Sequence, residues 1–222
     1  MEIAVSFLKS KYNLKDTIDK INNTDAEYIH VDVMDGNFVP NISCIYNDVK
    51  DVLKNTNKML DIHLMVDNPI KYILEYKNLS PKFITIHSEI NNNIDDLVDL
   101  IKSYGIGVGL SIKPKTSIEF IEKYLDRVDN VLIMSVEPGK GGQKFMDSVV
   151  YKIDILDKIR KNKKLNYKIS IDGGINKDNI KMLYDAGVSL AVMGTSFFRE
   201  DDKESFVNKI LEIIDESNYS NS

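Results

Sequence analysis

The chain has 222 residues, 43% of them hydrophobic, and a formal net charge of −5. That length and apolar content suit one large domain with a sizeable core, and an acidic balance without a basic stripe argues against a nucleic-acid partner. The single cysteine, Cys44, excludes an internal disulfide and fits a reducing compartment, and no apolar run approaches the ~20 residues a membrane span needs. The N-terminal MEIAVSF runs directly into a strand-like segment with no signal-peptide pattern, so a cytoplasmic protein is the default expectation.

In chain order, short apolar runs predict strands over Ile3–Ser6, Tyr28–Val33, Met59–Met65, Phe83–His87, Gly107–Ile112, Val131–Ser135, Lys168–Asp172 and Leu190–Gly194. Helix-like segments lie between them. One begins at Pro69, proline being favoured at a first-turn position, and ends near Tyr76. Another spans Asp147 to Lys161, with Val149, Ile153, Leu156 and Ile159 at helical spacing. Asn176 reads as an N-cap and Gly187 as the stop of the helix that follows. A last helix covers Glu204 to Asp215, and residues 217–222 read as a loose polar end. Eight alternating β and α units with no Pro/Ser-rich linker predict one (β/α)8 TIM barrel domain over 1–222.

The strands alternate in an informative way. Ile29, Val31 and Val33 share one face, and His30, Asp32 and Met34 the other. Leu60, Ile62 and Leu64 oppose Asp61, His63 and Met65. Ile84 and Ile86 oppose Thr85 and His87, while Ile169 and Ile171 oppose Ser170 and Asp172. The outer face of a barrel packs under helices and must be apolar, so the polar set points inward. Barrel interiors are ordinarily filled with branched apolar side chains, and an unpaired ionisable group there is costly. A bound cation would account for the pattern.

All three histidines, His30, His63 and His87, fall at or near the C-terminal ends of predicted strands, where barrel active sites form. His30, Asp32, His63 and Asp172 make a set of two imidazoles and two carboxylates, which suits one divalent cation: Zn, Fe, Mn or Co. The competing reading is core histidines bonded to backbone and Asp residues at helix caps; four inward polar groups on three strands count against it. His87 fits either a supporting role or barrel filling and is not counted as a ligand. Asp35 has the opposite parity to Asp32 and precedes Gly36, which predicts a turn role. Asp61 points inward but lower, and reads as structural.

A second constellation is glycine-rich: Gly139-Lys140-Gly141-Gly142 after strand six, Gly173-Gly174 after strand seven, and Gly194-Thr195 after strand eight. Glycines let backbone N–H groups approach phosphate oxygens, and barrels often bind phosphate at this corner. Each cluster alone is weak evidence; three converging are stronger. Met34, Met65 and Met134 end strands and, by spacing alone, read as adaptable core filler.

The motifs Ile29-His30-Val31-Asp32-Val33-Met34-Asp35-Gly36-Asn37-Phe38-Val39-Pro40-Asn41, Asp61-Ile62-His63-Leu64-Met65-Val66, Met134-Ser135-Val136-Glu137-Pro138-Gly139 with Gly141-Gly142-Gln143, and Ile171-Asp172-Gly173-Gly174-Ile175 resemble, in order and spacing, those of the ribulose-phosphate 3-epimerase family. The resemblance runs from Ile3 to Phe197. It implies an isomerase of the pentose phosphate pathway that interconverts D-ribulose 5-phosphate and D-xylulose 5-phosphate. His30, Asp32, His63 and Asp172 would hold the metal, with Asp32 and Asp172 also the acid/base pair. Ser6 and His63 would lie against substrate. Gly139, Lys140, Gly141, Gly142, Asp172, Gly173, Gly174, Gly194 and Thr195 would bind its sugar and phosphate, and Met34, Met65 and Met134 would help stabilise the intermediate. The only partner implied is a small sugar phosphate, with no membrane and a homo-oligomeric assembly expected.

Three departures stand out. Lys140 replaces a usual Phe, Phe7-Leu8-Lys9-Ser10 follows Ser6, and the loop Ile42-Ser43-Cys44-Ile45-Tyr46 lacks an expected Phe-Gly-Pro. They bear on substrate choice, leaving a six-carbon ketose phosphate such as allulose 6-phosphate as the alternative. A decarboxylase of the orotidine-phosphate type would need Asp-x-Lys-x-x-Asp on strand three, where this chain has His63 and Val66. Loss of any one of His30, Asp32, His63 and Asp172 would have favoured a catalytically dead phosphate-binding barrel; all four are intact.

Overall fold

The computed structural model describes the backbone of residues 1–220 and side chains through Glu216. Eight parallel strands form a ring: β1 (Glu2–Ser6), β2 (Tyr28–Asp35), β3 (Met59–Met65), β4 (Phe83–His87), β5 (Gly107–Ile112), β6 (Asn130–Met134), β7 (Lys168–Asp172) and β8 (Leu190–Met193). Each pairs with the next, and β1 pairs with both β2 and β8, which closes the barrel. The sequence places every one of these strands within two residues of its observed ends. A two-residue strand, Ile42–Ser43, folds back antiparallel on the end of β2; it is too short to carry a period and was not expected.

Helices α1 (Leu14–Asn22), α2 (Tyr46–Leu53), α3 (Pro69–Tyr76) and α4 (Ile94–Ser103) follow the first four strands, and α5 (Val150–Lys163), α6 (Ile180–Ala186), α7 (Thr195–Arg199) and α8 (Lys203–Ser220) the last three. After β5 two 3-10 turns, Ile118–Phe120 and Glu122–Tyr124, stand in place of a helix. Local chemistry starts and stops these elements. The Asn13 and Asn93 side chains accept the Asp16 and Asp95 N–H groups as N-caps, and Gly187 ends α6 at φ 110°. Two boundaries differ from expectation. Asp147–Val149 is a 3-10 turn that precedes α5, and α6 starts at Ile180 with Asn179 in the cap position. Asn176 instead closes the turn before it, accepting the Asp178 N–H on its side chain and the Asn179 and Ile180 N–H groups on its carbonyl. α8 outruns its expected end at Asp215; of the polar end expected at 217–222, residues 221–222 and the side chains lie outside the described residues.

The outward strand residues Ile29, Val31, Val33, Ile62, Leu64, Ile84 and Ile86 join Ile18, Ile21, Val49, Leu53 and Ile73 from the helices in one continuous core. The barrel interior is different. Ala4, Tyr28, Phe83, Leu190 and Val192 form a small apolar cluster of their own. Beside it are buried polar groups: His30, Asp61, His63, Thr85, His87, Ser111, Asn130 and Ser170. The apolar face pays for folding, and the polar layer holds the chemistry. Among the described residues no helix is long and apolar enough to cross a membrane.

Candidate metal centre and active site

Strand register builds the centre. β2 and β3 pair with His30 opposite Asp61 and Asp32 opposite His63, and the alternation of Cβ atoms sends all four inward. Asp32 Oδ1 lies 3.4 Å from His30 Nε2 and 3.4 Å from His63 Nδ1. Those two ring nitrogens are fully buried and have no hydrogen-bond partner. Asp172, at the end of β7, completes the set: one donor atom from each of His30, Asp32, His63 and Asp172 lies within 4.8 Å of the others. Two orphaned imidazole nitrogens converging on two carboxylates are costly unless something positive sits between them. The donor set fits a divalent cation.

The outer nitrogens of the same rings are engaged, as in metal sites whose supporting partners fix ligand orientation. His30 Nδ1 is 2.7 Å from Asp61 Oδ2, and His63 Nε2 is 2.9 Å from His87 Nε2. Ser6 Oγ donates to Asp32 Oδ2 at 2.6 Å, leaving Oδ1 to the imidazoles. The Ser43 hydroxyl of the short antiparallel strand donates to the Asp32 carbonyl.

Electrostatics separates the two carboxylates. Burial opposes ionisation of Asp32, but the adjacent His30 and His63 outweigh it and hold its carboxyl well below the usual range. Asp172 is pushed up to about 6, by burial first and by the Asp32 charge second. His30 is buried, which disfavours its charged form, yet Asp61 and Asp32 hold its proton well above the usual imidazole range. His87 goes the other way: burial lowers it to about 4. Burial, with the Asp32 charge, lifts the Cys44 thiol to about 12. No thiolate forms there near neutrality.

Above this floor opens a cleft of about 500 Å³. Ser6, Asp32, Asp172, Gly139, Lys140, Gly141, Gly142, Gly173, Gly174, Gly194 and Thr195 all line it, as do Met34, Met65 and Met134. His30 and His63 are fully buried beneath. The glycine rim is pinned by side chains. Gln143 Nε2 donates to the Glu137 and Lys140 carbonyls, both at 2.7 Å, and Asn41 Nδ2 donates to the Gly139 carbonyl. Gly174 has φ +68°, and a Cβ there would fall 2.5 Å from the Phe145 nitrogen, so no larger residue fits this approach. Lys140 is solvent-exposed at the rim, and the aliphatic stem of Lys9 lies against Gly141.

The whole arrangement has relatives. The model of the "Ribulose-phosphate 3 epimerase family" matches residues 2–198. The chain belongs to the ribulose-phosphate 3-epimerase family. A ribulose-phosphate 3-epimerase of Bacillus subtilis is 34% identical over 212 residues, 95% of this chain and 98% of that one. The Aquifex aeolicus protein of the same name is 37% identical over 189 residues, 85% of each chain. Among solved structures, a 3-hexulose-6-phosphate synthase superposes with a TM-score of 0.71 at 14% identity, covering 96% of this chain and all of that one; at that identity the likeness concerns the fold alone. As an epimerase of this family the chain is an isomerase.

Asp35 accepts the Asn37 and Phe38 N–H groups on Oδ1 and the Asp67 N–H on Oδ2, which is the turn role its parity predicted. Asp61 does more than the sequence reading gave it: it is the partner that orients His30. Its inward parity and its place two residues before His63 were the available signals. Glu89, bonded to His87 Nδ1 at 3.1 Å, lies just past the end of its strand, where parity carries no signal.

Proposed function

We propose that the chain interconverts D-ribulose 5-phosphate and D-xylulose 5-phosphate by moving a proton at C3, with Asp32 and Asp172 as the two carboxylates. The observation that carries this reading is the convergence of His30 Nε2 and His63 Nδ1, buried and unpartnered, on Asp32 Oδ1 with Asp172 beside them. Epimerisation takes a proton from one face of C3 and returns one to the other. A single base would return the proton where it found it, so two groups are needed. Asp32 and Asp172 come from strands separated by β1 and β8, and both line the cleft.

The divergent carboxyls fit the division of labour. Without a metal, Asp32 is held ionised and Asp172 gives up its proton less readily; in the reaction one of the two takes the proton and the other donates on the opposite face. The reverse reaction runs with the two states exchanged. Ser6, by holding Asp32 Oδ2, fixes the lone pair used. A divalent cation (Zn, Fe, Mn or Co) held by His30, Asp32, His63 and Asp172 would supply the positive charge that stabilises negative charge developing on the C2 and C3 oxygens. Met34, Met65 and Met134 line the cleft with polarisable sulfur. Gly139, Lys140, Gly141, Gly142, Gly173, Gly174, Gly194 and Thr195 take the phosphate end.

Metal analysis of the purified protein, with a ribulose 5-phosphate assay before and after chelation, tests this. One equivalent of divalent metal is expected, with activity lost on chelation and restored by readdition. Full activity in exhaustively chelated protein would defeat the reading. A parallel assay with allulose 6-phosphate separates the five-carbon from the six-carbon substrate. A homo-oligomeric state belongs to the same proposal, and light scattering in solution tests it.

A further inference from the structure

A line of polar contacts runs from His63 through His87 and Glu89 to the loop that follows β5. His63 Nε2 meets His87 Nε2 at 2.9 Å, and His87 Nδ1 meets Glu89 Oε2 at 3.1 Å. Both imidazoles are wholly buried. The second Glu89 oxygen, Oε1, accepts the Lys113 N–H at 2.7 Å and the Thr116 hydroxyl. The carbonyls of that loop are held in turn: Lys152 Nζ donates to Lys113, Pro114 and Thr116 at 3.1, 2.8 and 2.6 Å. Phe38 covers His87 at a ring separation of 4.7 Å.

Each link fixes the next. An ionised Glu89 can only accept, so His87 Nδ1 must carry a hydrogen. A neutral His87 then offers a lone pair at Nε2, and His63 must donate its Nε2–H to it. That leaves the His63 lone pair on Nδ1, which faces Asp32 and the cation position. Without this chain, the Asp32 carboxylate 3.4 Å away would draw the His63 proton to Nδ1 and block the ligand atom.

We propose that Glu89 and His87 are positioning residues that set the tautomer of His63, and through it the affinity of the metal centre. The inference rests on the reading of His63 as a metal ligand.

The Glu89→Gln variant gives a sharp test. The Lys113 N–H and Thr116 hydroxyl select the amide oxygen on their side, so the amide NH2 faces His87. His87 Nδ1 must then accept, its Nε2 must donate, and His63 is driven to carry hydrogen on Nδ1. With only three histidines, ¹⁵N-histidine labelling resolves each ring. In chelated wild-type protein His63 is expected as the Nε2–H tautomer, and in Glu89→Gln as Nδ1–H. Zn²⁺ titration against a competing chromophoric chelator should show binding about 10- to 100-fold weaker in the variant. A His63 tautomer or a Zn²⁺ affinity at the wild-type value, the latter within about twofold, overturns the proposal. Should Glu89→Gln fail to fold, the His87 pair decides: His87→Gln, which can accept from His63 and donate to Glu89, should retain Zn²⁺ affinity, and His87→Leu should lose it, while equal affinities overturn the idea. A His63→Ala control separates the two levels. If it binds Zn²⁺ as tightly as wild type, the metal assignment itself fails; if it does not and Glu89→Gln is unaffected, only the positioning role fails.

Discussion

Asp32 is held at both oxygens: Oδ1 stands 3.4 Å from two imidazole nitrogens, and Oδ2 takes the Ser6 hydroxyl at 2.6 Å. Asparagine there keeps the shape but can neither take a proton nor balance the cation. Asp32→Asn and Asp172→Asn are each expected to lower kcat by about 10²-fold or more, the usual size of an acid–base contribution; steady-state rates with ribulose 5-phosphate check this, and a rate near wild type in either removes that residue from the pair. Asp61→Asn replaces a charged acceptor for His30 Nδ1 with a neutral one. Zn²⁺ affinity should fall about 10-fold or more, by competition titration, with the fold intact by circular dichroism. The four candidate ligands were legible because strand parity places them inward and because two imidazoles and two carboxylates are costly there unless paired. The supporting contacts were not. His30 meets Asp61 through lateral register between two strands, and His63 meets His87 across another, which no periodicity within one strand reveals.

At the level of elements, the strands were readable because a closed barrel leaves one face of each under a helix, and that apolar face repeats every second residue. The loops carry no such period. The shift of the α6 cap from Asn176 to Asn179 is set by side-chain bonds within one turn, while the 3-10 turns after β5 and the Ile42–Ser43 strand rest on contacts from distant parts of the chain. One such contact is the Lys152 ammonium, buried on α5 beneath three loop carbonyls. A helix residue at that spacing could equally have faced solvent. Lys152→Met keeps the stem and strands those acceptors. The expected loss is roughly 2–3 kcal/mol, from the size of hydrogen bonds to charged groups and of unsatisfied buried ones, measured by denaturant titration; a loss under about 0.5 kcal/mol would show that the loop relaxes to water at no cost. The loop after β7 is tighter still. At Gly174 a side chain would meet the Phe145 backbone and adopt φ +68°, so Gly174→Ala should raise KM for the sugar phosphate while costing roughly 1–3 kcal/mol in stability.

Taken as one molecule, the barrel encloses ionisable groups whose metal-free state is uneasy, and this couples the centre to global stability. Asp172 is raised to about 6 by burial and by the Asp32 charge. The sign follows. A carboxyl with a raised folded pKa stabilises the metal-free fold fully below its unfolded value, about 4, and that contribution is lost as pH rises through about 6. A cation held by Asp172 would need the same carboxylate ionised and so would compete with that proton. His30, whose proton Asp61 and Asp32 hold above the usual range against its burial, adds to the trend in the same direction. Metal at about 100 times its dissociation constant contributes about 2.7 kcal/mol, a rise in Tm of roughly 5–11 °C for a chain of this size. Calorimetry of chelated and Zn²⁺-loaded protein should therefore show a wide gap at pH 7.5 that narrows as pH falls through 6 and is small at pH 5. Asp172→Asn should show a smaller gap at pH 7.5 and a weaker dependence on pH. A wild-type gap of equal width at pH 5 and 7.5 would mean that the cation does not displace the Asp172 proton, and would take that carboxylate out of the ligand set.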